Sequence, residues 1–499
     1  MIVVKVEALN IYGFVYAARD LGANRGAGLS LLGMPKALED WIAAKYRGVR
    51  RITSGASKAA LLIEDMQANA GDVDKEVREW LVGQYSYATI AVACADLKVD
   101  EKVLDVEENL QCRIRMEQMQ SFSFARPAKV EGGRVCKFDH VRPASRETQR
   151  GAESYWVSEE VYEFRKKGYD LKREFLGDHA GKTGADWTYT RDLTDLTTNP
   201  GAGRLNKKMA IFYADGNGFG SKPRAALAGL ESEGQIVGME EFDKAVQGRR
   251  EEFLRQLLIK TGERHWQTDK GERRIEVLLW GGDELMLAVP AWCGWETAEL
   301  FASKMKDSTA PLNGNQVPLK YAMGLIFAHH KAPIHPLVQL VKKLAEVEAK
   351  GGKDLQNREG RVTHRLSYLV LESFDHVGED LEGFRALQWR NKEATKGLVL
   401  SAEQNNLERM SEALAGLKSG EFPRRKVYEA VKGLNQGKSW ELLNQDIEPF
   451  VSRSEWSDAL TMWRTATGSI ESSWFHLVDL WDYVAPELQE NAAEGVKPW

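Results

Sequence analysis

Cysteine is scarce. Cys94, Cys112, Cys136 and Cys293 are the only four in 499 residues, and their scatter makes no disulfide framework. Nowhere does the chain approach the ~18 consecutive apolar residues that crossing a bilayer needs, so no membrane span is expected. The opening MIVVKVEALNIYGF lacks the basic-then-apolar order of a signal peptide and reads as a strand, which makes the cytoplasm the expected location. Basic excess is missing too: the net charge of -5 argues against a protein that coats DNA. Local basic stretches, FRKKGYDLKRE (164–174) and FPRRK (422–426), read as solvated helix faces rather than RNA contacts.

What is present is a folded chain, with 43% hydrophobic and 28% charged residues. Its length exceeds one ordinary core and suggests about three domains. The clearest rhythm runs from about 205 to 353. KKMAIFYADGNG is a strand ending in a polar turn, and MEEFDKAVQGRREEFLRQLLIKTG is helical, with Phe242, Val246, Phe253, Leu254, Leu257 and Leu258 on one face. RIEVLLW and LMLAVPAW are two strands joined by a tip that carries Gly281, Gly282, Asp283 and Glu284. WETAELFASKMK is a helix, LKYAMGLIFAHH a strand, and HPLVQLVKKLAEVEAK a closing helix. This order is the ferredoxin-like, split βαβ arrangement. In it the first and third strands are antiparallel central neighbours. Asp215, at the end of the first, is therefore expected beside Asp283 and Glu284, at the start of the third. Convergence of three carboxylates at one sheet edge points to metal ions held against a nucleotide, not to turn chemistry alone.

The first 110 residues repeat the rhythm: IVVKVEALNIYGF (strand), RGAGLSLLGMPKALEDWIAAKY (entering a helix), VRRITSG and KAALLIED (hairpin), then helix, strand, helix. The tip of this hairpin, SGAS (54–57), has no acid, so this copy is expected to be catalytically silent. The expected fold is α+β, with two ferredoxin-like (βαββαβ) copies: a degenerate one at 1–119 and an acid-bearing one at 205–360. An inserted irregular segment at 120–204 ends in the linker TTNPGAGR. A helical domain follows at 361–499. There, Ser401 with Gln404 is a capping box, Trp456, Trp463, Trp474 and Trp481 are spaced for burial, and the tail EGVKPW frays.

Taken in order, these motifs resemble the large polymerase/cyclase subunit of type III CRISPR effectors, in a form without the His-Asp nuclease domain. YADGNG and GGDE stand in one palm, and the acid-free hairpin in the other. RGAGLSLL (25–32) is similar to the family's glycine-serine turn, and VCKFDHVRPAS (135–145) stands where members have a cysteine-rich element. SYWVSEEVYEFRKKG resembles the entry to the second palm, HKAPIHPLVQLVKKLAEVEAKGGK its proline-led helix with an Ala-Lys ending, and LSAEQNNLERM with FPRRKVYEAV its helical cap. Two positions depart from the pattern: Glu284 replaces the usual second aspartate, and Asn217 stands where related turns have another acid.

The resemblance implies synthesis of cyclic oligonucleotide or dinucleotide messengers from ATP, with Mg²⁺ or Mn²⁺ and two nucleotides held between the palms. Asp215 and Asp283 would be bridging ligands and Glu284 a third. The backbone of Gly216, Asn217 and Gly218 would face phosphate oxygens, and Gly281 and Gly282 would leave room for nucleotide and ions. By the same resemblance Lys350 would meet the β/γ-phosphates, and Gly26, Gly28 and Ser30 would line the second nucleotide. Guide or target RNA, other CRISPR-like subunits and a separate messenger-responsive effector are the implied partners. A GTP-using dinucleotide cyclase and a non-catalytic RNA-binding scaffold are the alternatives. His329, His330 and His335 read as a surface turn. Cys112, Cys136, Asp139 and His140 lack the CxxC pair of a zinc site, and DGNGFGSK is not a Walker loop.

Overall fold

The computed structural model describes residues 1–55, 57–120, 133–150, 153–181, 187–351, 363–372, 377, 380–389, 398–440, 442–443, 445 and 453–488. The EGVKPW tail lies outside them, as do parts of the 120–204 segment. No helix among the described residues is long and apolar enough to cross a membrane.

The first palm runs β1 (Ile2–Ala8), α1 (Ile11–Val15), α2 (Leu21–Lys45), β2 (Val49–Ser54), β3 (Lys58–Ile63), α3 (Ala70–Gln84), β4 (Ile90–Asp96) and α4 (Val103–Gln120). Its four strands are ordered β2-β3-β1-β4 and pair antiparallel. Two details differ from the sequence expectation. The first strand stops at Ala8, because Asn10 takes a φ of +49° and its side chain accepts from Gly13 N at 3.2 Å, starting a short helix. RGAGLSLL is not a turn but the interior of α2, which Asp20 caps by accepting from Ala23 N at 3.0 Å. The glycines serve a helix crossing. A Cβ built on Gly26 would lie 2.1 Å from Phe164 O, and one on Gly168 would lie 2.4 Å from Gly22 O.

The intervening segment holds the hairpin β5 (Arg146–Arg150) and β6 (Glu153–Val157), α5 (Glu159–Ala180) and α6 (Leu193–Thr197). Lys172 departs from the solvated-face reading of its basic stretch. It is buried, donating to Glu276 Oε2 at 2.9 Å and Thr190 O at 2.8 Å. The glycine-rich linker also packs, since Arg274 donates to Leu196 O at 3.0 Å and Thr198 O at 2.8 Å.

The second palm runs β7 (Lys208–Gly216), α7 (Ser221–Leu227), α8 (Ser232–Lys260), β8 (Glu276–Gly281), β9 (Glu284–Pro290), α9 (Ala291–Met305), the small hairpin β10 (Thr309–Leu312) and β11 (Asn315–Pro318), β12 (Tyr321–His329) and α10 (Ile334–Lys343). Leu344–Ala349 continues α10 as a π-helical turn. β7 lies between β9 and β12, antiparallel to both. Side chains alternate across it. Ala210, Phe212 and Ala214 join the core under α8 and α9, whereas Met209, Ile211 and Tyr213 join the core under α10.

The sheet continues beyond position 360, where the sequence pattern reads as helical. β13 (Arg365–Val370) pairs parallel with β12, and after α11 (Leu381–Gln388) comes β14 (Val399–Ser401), antiparallel to β13. Ser401 therefore ends a strand and is no helix cap. α12 (Asn406–Ser419) starts after Asn405, whose φ is +61°. α13 (Arg424–Asn435), α14 (Ser454–Thr467) and α15 (Ile470–Leu480) follow among the described residues, with Trp456, Trp463, Trp474 and Trp481 buried as expected.

Candidate functional site at the paired hairpin tips

Antiparallel register sets Asp215 directly across from Glu284, and Gly216 N donates to Asp283 O at 3.1 Å. The β8–β9 connection is a two-residue turn, Gly282-Asp283, between the paired Gly281 and Glu284. Gly282 has φ +58°, which the first position of such a tight turn requires and which glycine supplies without strain. After β7 the chain is held by Asn217 N donating to Lys320 O at 2.8 Å and turns at Gly218, φ +75°. Thus Asp215, Gly216, Asn217, Gly218, Gly281, Gly282, Asp283 and Glu284 gather at one end of one sheet.

Asp215 is 5% exposed. Burial pushes its carboxyl up to about 6; the Lys350 ammonium opposes this, and the Asp283 and Glu284 charges add to it. Asp283 is likewise raised, chiefly by burial. The Lys350 ammonium is paired with Asp215 Oδ2, and Lys342 Nζ stands 3.0 Å from Glu284 Oε2. Lys350 therefore meets a carboxylate directly. Crowded, partly desolvated carboxylates that already draw ammonium groups fit a hard divalent cation such as Mg²⁺ or Mn²⁺, for which Asp215, Asp283 and Glu284 would be the oxygen ligands.

Two cavities meet at this edge. One of about 1300 Å³ lies on the α8 side, where Gly55, Lys58, Asp243, Arg250, Gly282 and Asp283 are among its walls. The other, about 340 Å³, opens on the α10 side between Gly28, Lys58, Glu284 and Lys342. Gly281, Gly282 and Asp283 border both. The acid-free hairpin faces them: Ser54 N donates to Asp243 Oδ2 at 3.3 Å. Burial is also the main reason that the Asp243 carboxyl is raised to about 6.

The remaining candidates fall differently. Gly28 borders the smaller cavity, whereas Gly26 is sealed in the α2–α5 crossing, and Ser30, half-buried, borders neither cavity. Sequence reasoning missed Lys342, Lys58, Asp243 and Arg250. Arg250 had a signal, because it falls within the apolar stripe of α8, four residues after Val246 and four before Leu254.

Among the described residues Cys112, Cys136, Asp139 and His140 do not gather as metal ligands. Asp139 Oδ1 instead accepts from Val141 N and Arg142 N, both at 2.9 Å. His330 is buried rather than on a surface turn, its Nδ1 2.9 Å from Lys207 O. His265, Cys293 and Glu296 do bring their ligand atoms within 4.8 Å of one another. Protein donors already serve that carboxylate: Lys260 pairs with it, Trp266 Nε1 donates at 3.0 Å, and His265 Nε2 lies at 3.3 Å. Burial raises the Cys293 thiol well above its ordinary value, which keeps it protonated and a poor ligand.

No family model matches the sequence, and no curated protein does. Crystal structures that contain Csm1 are among the solved structures to which the chain is similar. One, in the Csm1-Csm4 cassette in complex with cA4, has a TM-score of 0.44 at 13% identity, over 97% of this chain and 69% of that one. Another, from the Csm1-Csm4 subcomplex of the type III-A CRISPR-Csm interference complex, has 0.42 at 11%, over 97% and 68%. A third, from the cassette in complex with AMPPNP, has 0.40 at 12%, over 73% and 54%. This chain thus spans between about half and two thirds of those chains' length, and what it does is read from its own residues.

Proposed function

We propose that the chain is a nucleotidyltransferase that joins ATP into cyclic oligonucleotide messengers, acting in the cytoplasm in a CRISPR-like antiviral defence. One observation carries this reading: Asp215, Asp283 and Glu284 converge at a sheet end that borders two cavities beneath facing hairpins. In the reaction a ribose hydroxyl oxygen bonds to the α-phosphorus of a second nucleotide, the bond from that phosphorus to the β-bridging oxygen breaks, and pyrophosphate leaves with the hydroxyl proton passing to solvent. Mg²⁺ or Mn²⁺ bound by the three carboxylates would lower the hydroxyl's pKa and neutralise phosphate charge.

The chain's own residues have separable tasks. Gly281 and Gly282 put no side chain between the two cavities. At the turn the Gly216 and Asn217 N–H groups are already spent on Asp283 O and Lys320 O, which leaves Gly218 as the position that could face an oxyanion. Lys350, which pairs with Asp215 Oδ2, would supply positive charge to the β/γ-phosphates. RNA, other CRISPR-like subunits and a separate messenger-responsive effector are the partners this reading proposes.

The test is to incubate the purified full chain with ATP or GTP and Mg²⁺ or Mn²⁺, with and without RNA. Pyrophosphate is assayed and products are identified by mass spectrometry, which reports base, linkage and ring size together. ATP-derived 2′- or 3′-linked products are expected, and they should disappear in the Asp283→Ala/Glu284→Ala variant while its melting transition persists. Products from GTP alone would assign a dinucleotide cyclase. Inactivity with every nucleotide, with and without RNA, would overturn the enzymatic reading in favour of an RNA-binding scaffold.

A further inference from the structure

The buried face of α8 is apolar except at Gln235, near its start, and Arg250. Phe242, Val246, Phe253, Leu254, Leu257 and Leu258 are each at most 5% exposed, and Arg250, in the same stripe, is 6% exposed. Its guanidinium lies over the Trp280 ring, 5.4 Å from the centroid. Among the described residues, its Nε and Nη1 have no hydrogen-bond partner. An arginine cannot escape burial by losing its proton, so the fold keeps a desolvated cation with unused donors, which is costly unless an acceptor arrives.

The surroundings say what that acceptor is. Arg250 lines the larger cavity together with Gly282 and Asp283. Several other cations on these walls are engaged elsewhere, Lys5 and Arg224 with Glu107, Arg50 with Glu233, and Arg51 with Glu39, while Lys58 and Lys244 also line the cavity. Lys350 and Lys342 reach the acids from the α10 side and contact Asp215 and Glu284. Arg250 approaches from the opposite face of the sheet. A planar guanidinium presents its N–H groups as a fork matched to two oxygens of one phosphate. The nearby carboxylates, Asp283 and Asp243, leave those donors unused.

We propose that Arg250 binds a phosphate group of the nucleoside triphosphate in the larger cavity, so that substrate supplies the anion missing from the α8 face. The inference rests on the nucleotide reading of the cleft given above.

Its test uses the full chain, Mg²⁺ and two probes: α,β-methylene-ATP, which cannot release pyrophosphate, and adenosine, which has no phosphate. Binding is measured by calorimetry for the wild type, Arg250→Met and Arg250→Lys, with ligand-free melting recorded for each. Arg250→Met should melt at or above the wild-type temperature and lose about ten- to hundred-fold in affinity for the triphosphate, with adenosine unaffected. Arg250→Lys should fall between. Unchanged triphosphate affinity in Arg250→Met while the wild type binds would overturn the inference and leave the nucleotide reading standing. Equal loss of both probes, or failure of Arg250→Met to fold, would assign Arg250 to structure and overturn it too. A wild type that binds neither probe sinks the nucleotide reading itself, and the inference with it.

Discussion

Gly282 and Gly55 meet tip to tip across the cleft: a Cβ built on Gly282 would stand 3.7 Å from the Gly55 Cα. A side chain on either glycine enters the passage between the cavities. Gly55→Val is expected to cut pyrophosphate release by at least about tenfold, the effect of displacing bound groups by ~1 Å or more. Its stability should change little, because a Cβ at Gly55 meets only the flexible Lys58 stem, at 3.0 Å. Gly282→Ala should in addition cost about 1 kcal/mol in chemical denaturation, because its φ of +58° suits only glycine. The two measurements separate a blocked passage from a strained turn.

Gly26 and Gly28, two residues apart, should behave in opposite ways. Gly26→Ala forces a methyl against Phe164 O at 2.1 Å and should destabilise the chain by about 1–3 kcal/mol, whatever nucleotide is added. At Gly28 the nearest neighbour of a Cβ is Val15 Cγ1, at 3.6 Å. Gly28→Ala should keep its melting temperature. Circular dichroism melts of both variants decide it.

Lys350→Met removes the ammonium from Asp215 without emptying the space. If its charge goes to phosphates during turnover, KM for ATP should rise about tenfold or more, since a charge-assisted contact contributes about 1.5–3 kcal/mol, while kcat falls less. Steady-state kinetics at saturating Mg²⁺ show which parameter moves. A drop in kcat alone, at unchanged KM, would place Lys350 in the transition state only.

Much of this architecture was legible in the sequence because strand alternation and connection order determine neighbours. Asp215 and Glu284 pair as the split βαβ order requires, and the four tryptophans are buried as their spacing demands. Glycine was the ambiguous letter. In RGAGLSLL it marks the close approach of two helices, a long-range fact that local turn preference cannot report. β13 was hidden for a related reason: it is six residues of RLSYLV, buried beside β12, with no helix-length or alternating pattern to announce it. Arg250 was visible as a charge in an apolar stripe, although only the fold shows which cavity it borders.

His364 gives the second palm a pH dependence of its own. The imidazole is fully buried and accepts from Tyr321 N at 3.2 Å. Burial, aided by the Lys320 charge, holds its pKa down at about 4, against 6.5 for an ordinary histidine. Between those values the unfolded chain binds a proton that the native chain refuses. This contribution to stability is therefore complete above pH 6.5 and is lost as pH falls toward 4, amounting to about 3 kcal/mol at most. Urea denaturation from pH 7.5 to 4 should show a shallower acid decline in His364→Gln than in the wild type.

Arg25 of α2 and Lys172 of α5 both close on Glu276, where β8 begins, at 2.6 and 2.9 Å. Prising those elements apart would part all three charges from their partners at once, together with the packing around them, which no ordinary thermal fluctuation does often. The halves are consequently riveted at the root of the acid-bearing hairpin. A clamshell swing of whole palms would have to undo that triad, whereas the larger cavity is already partly open to solvent.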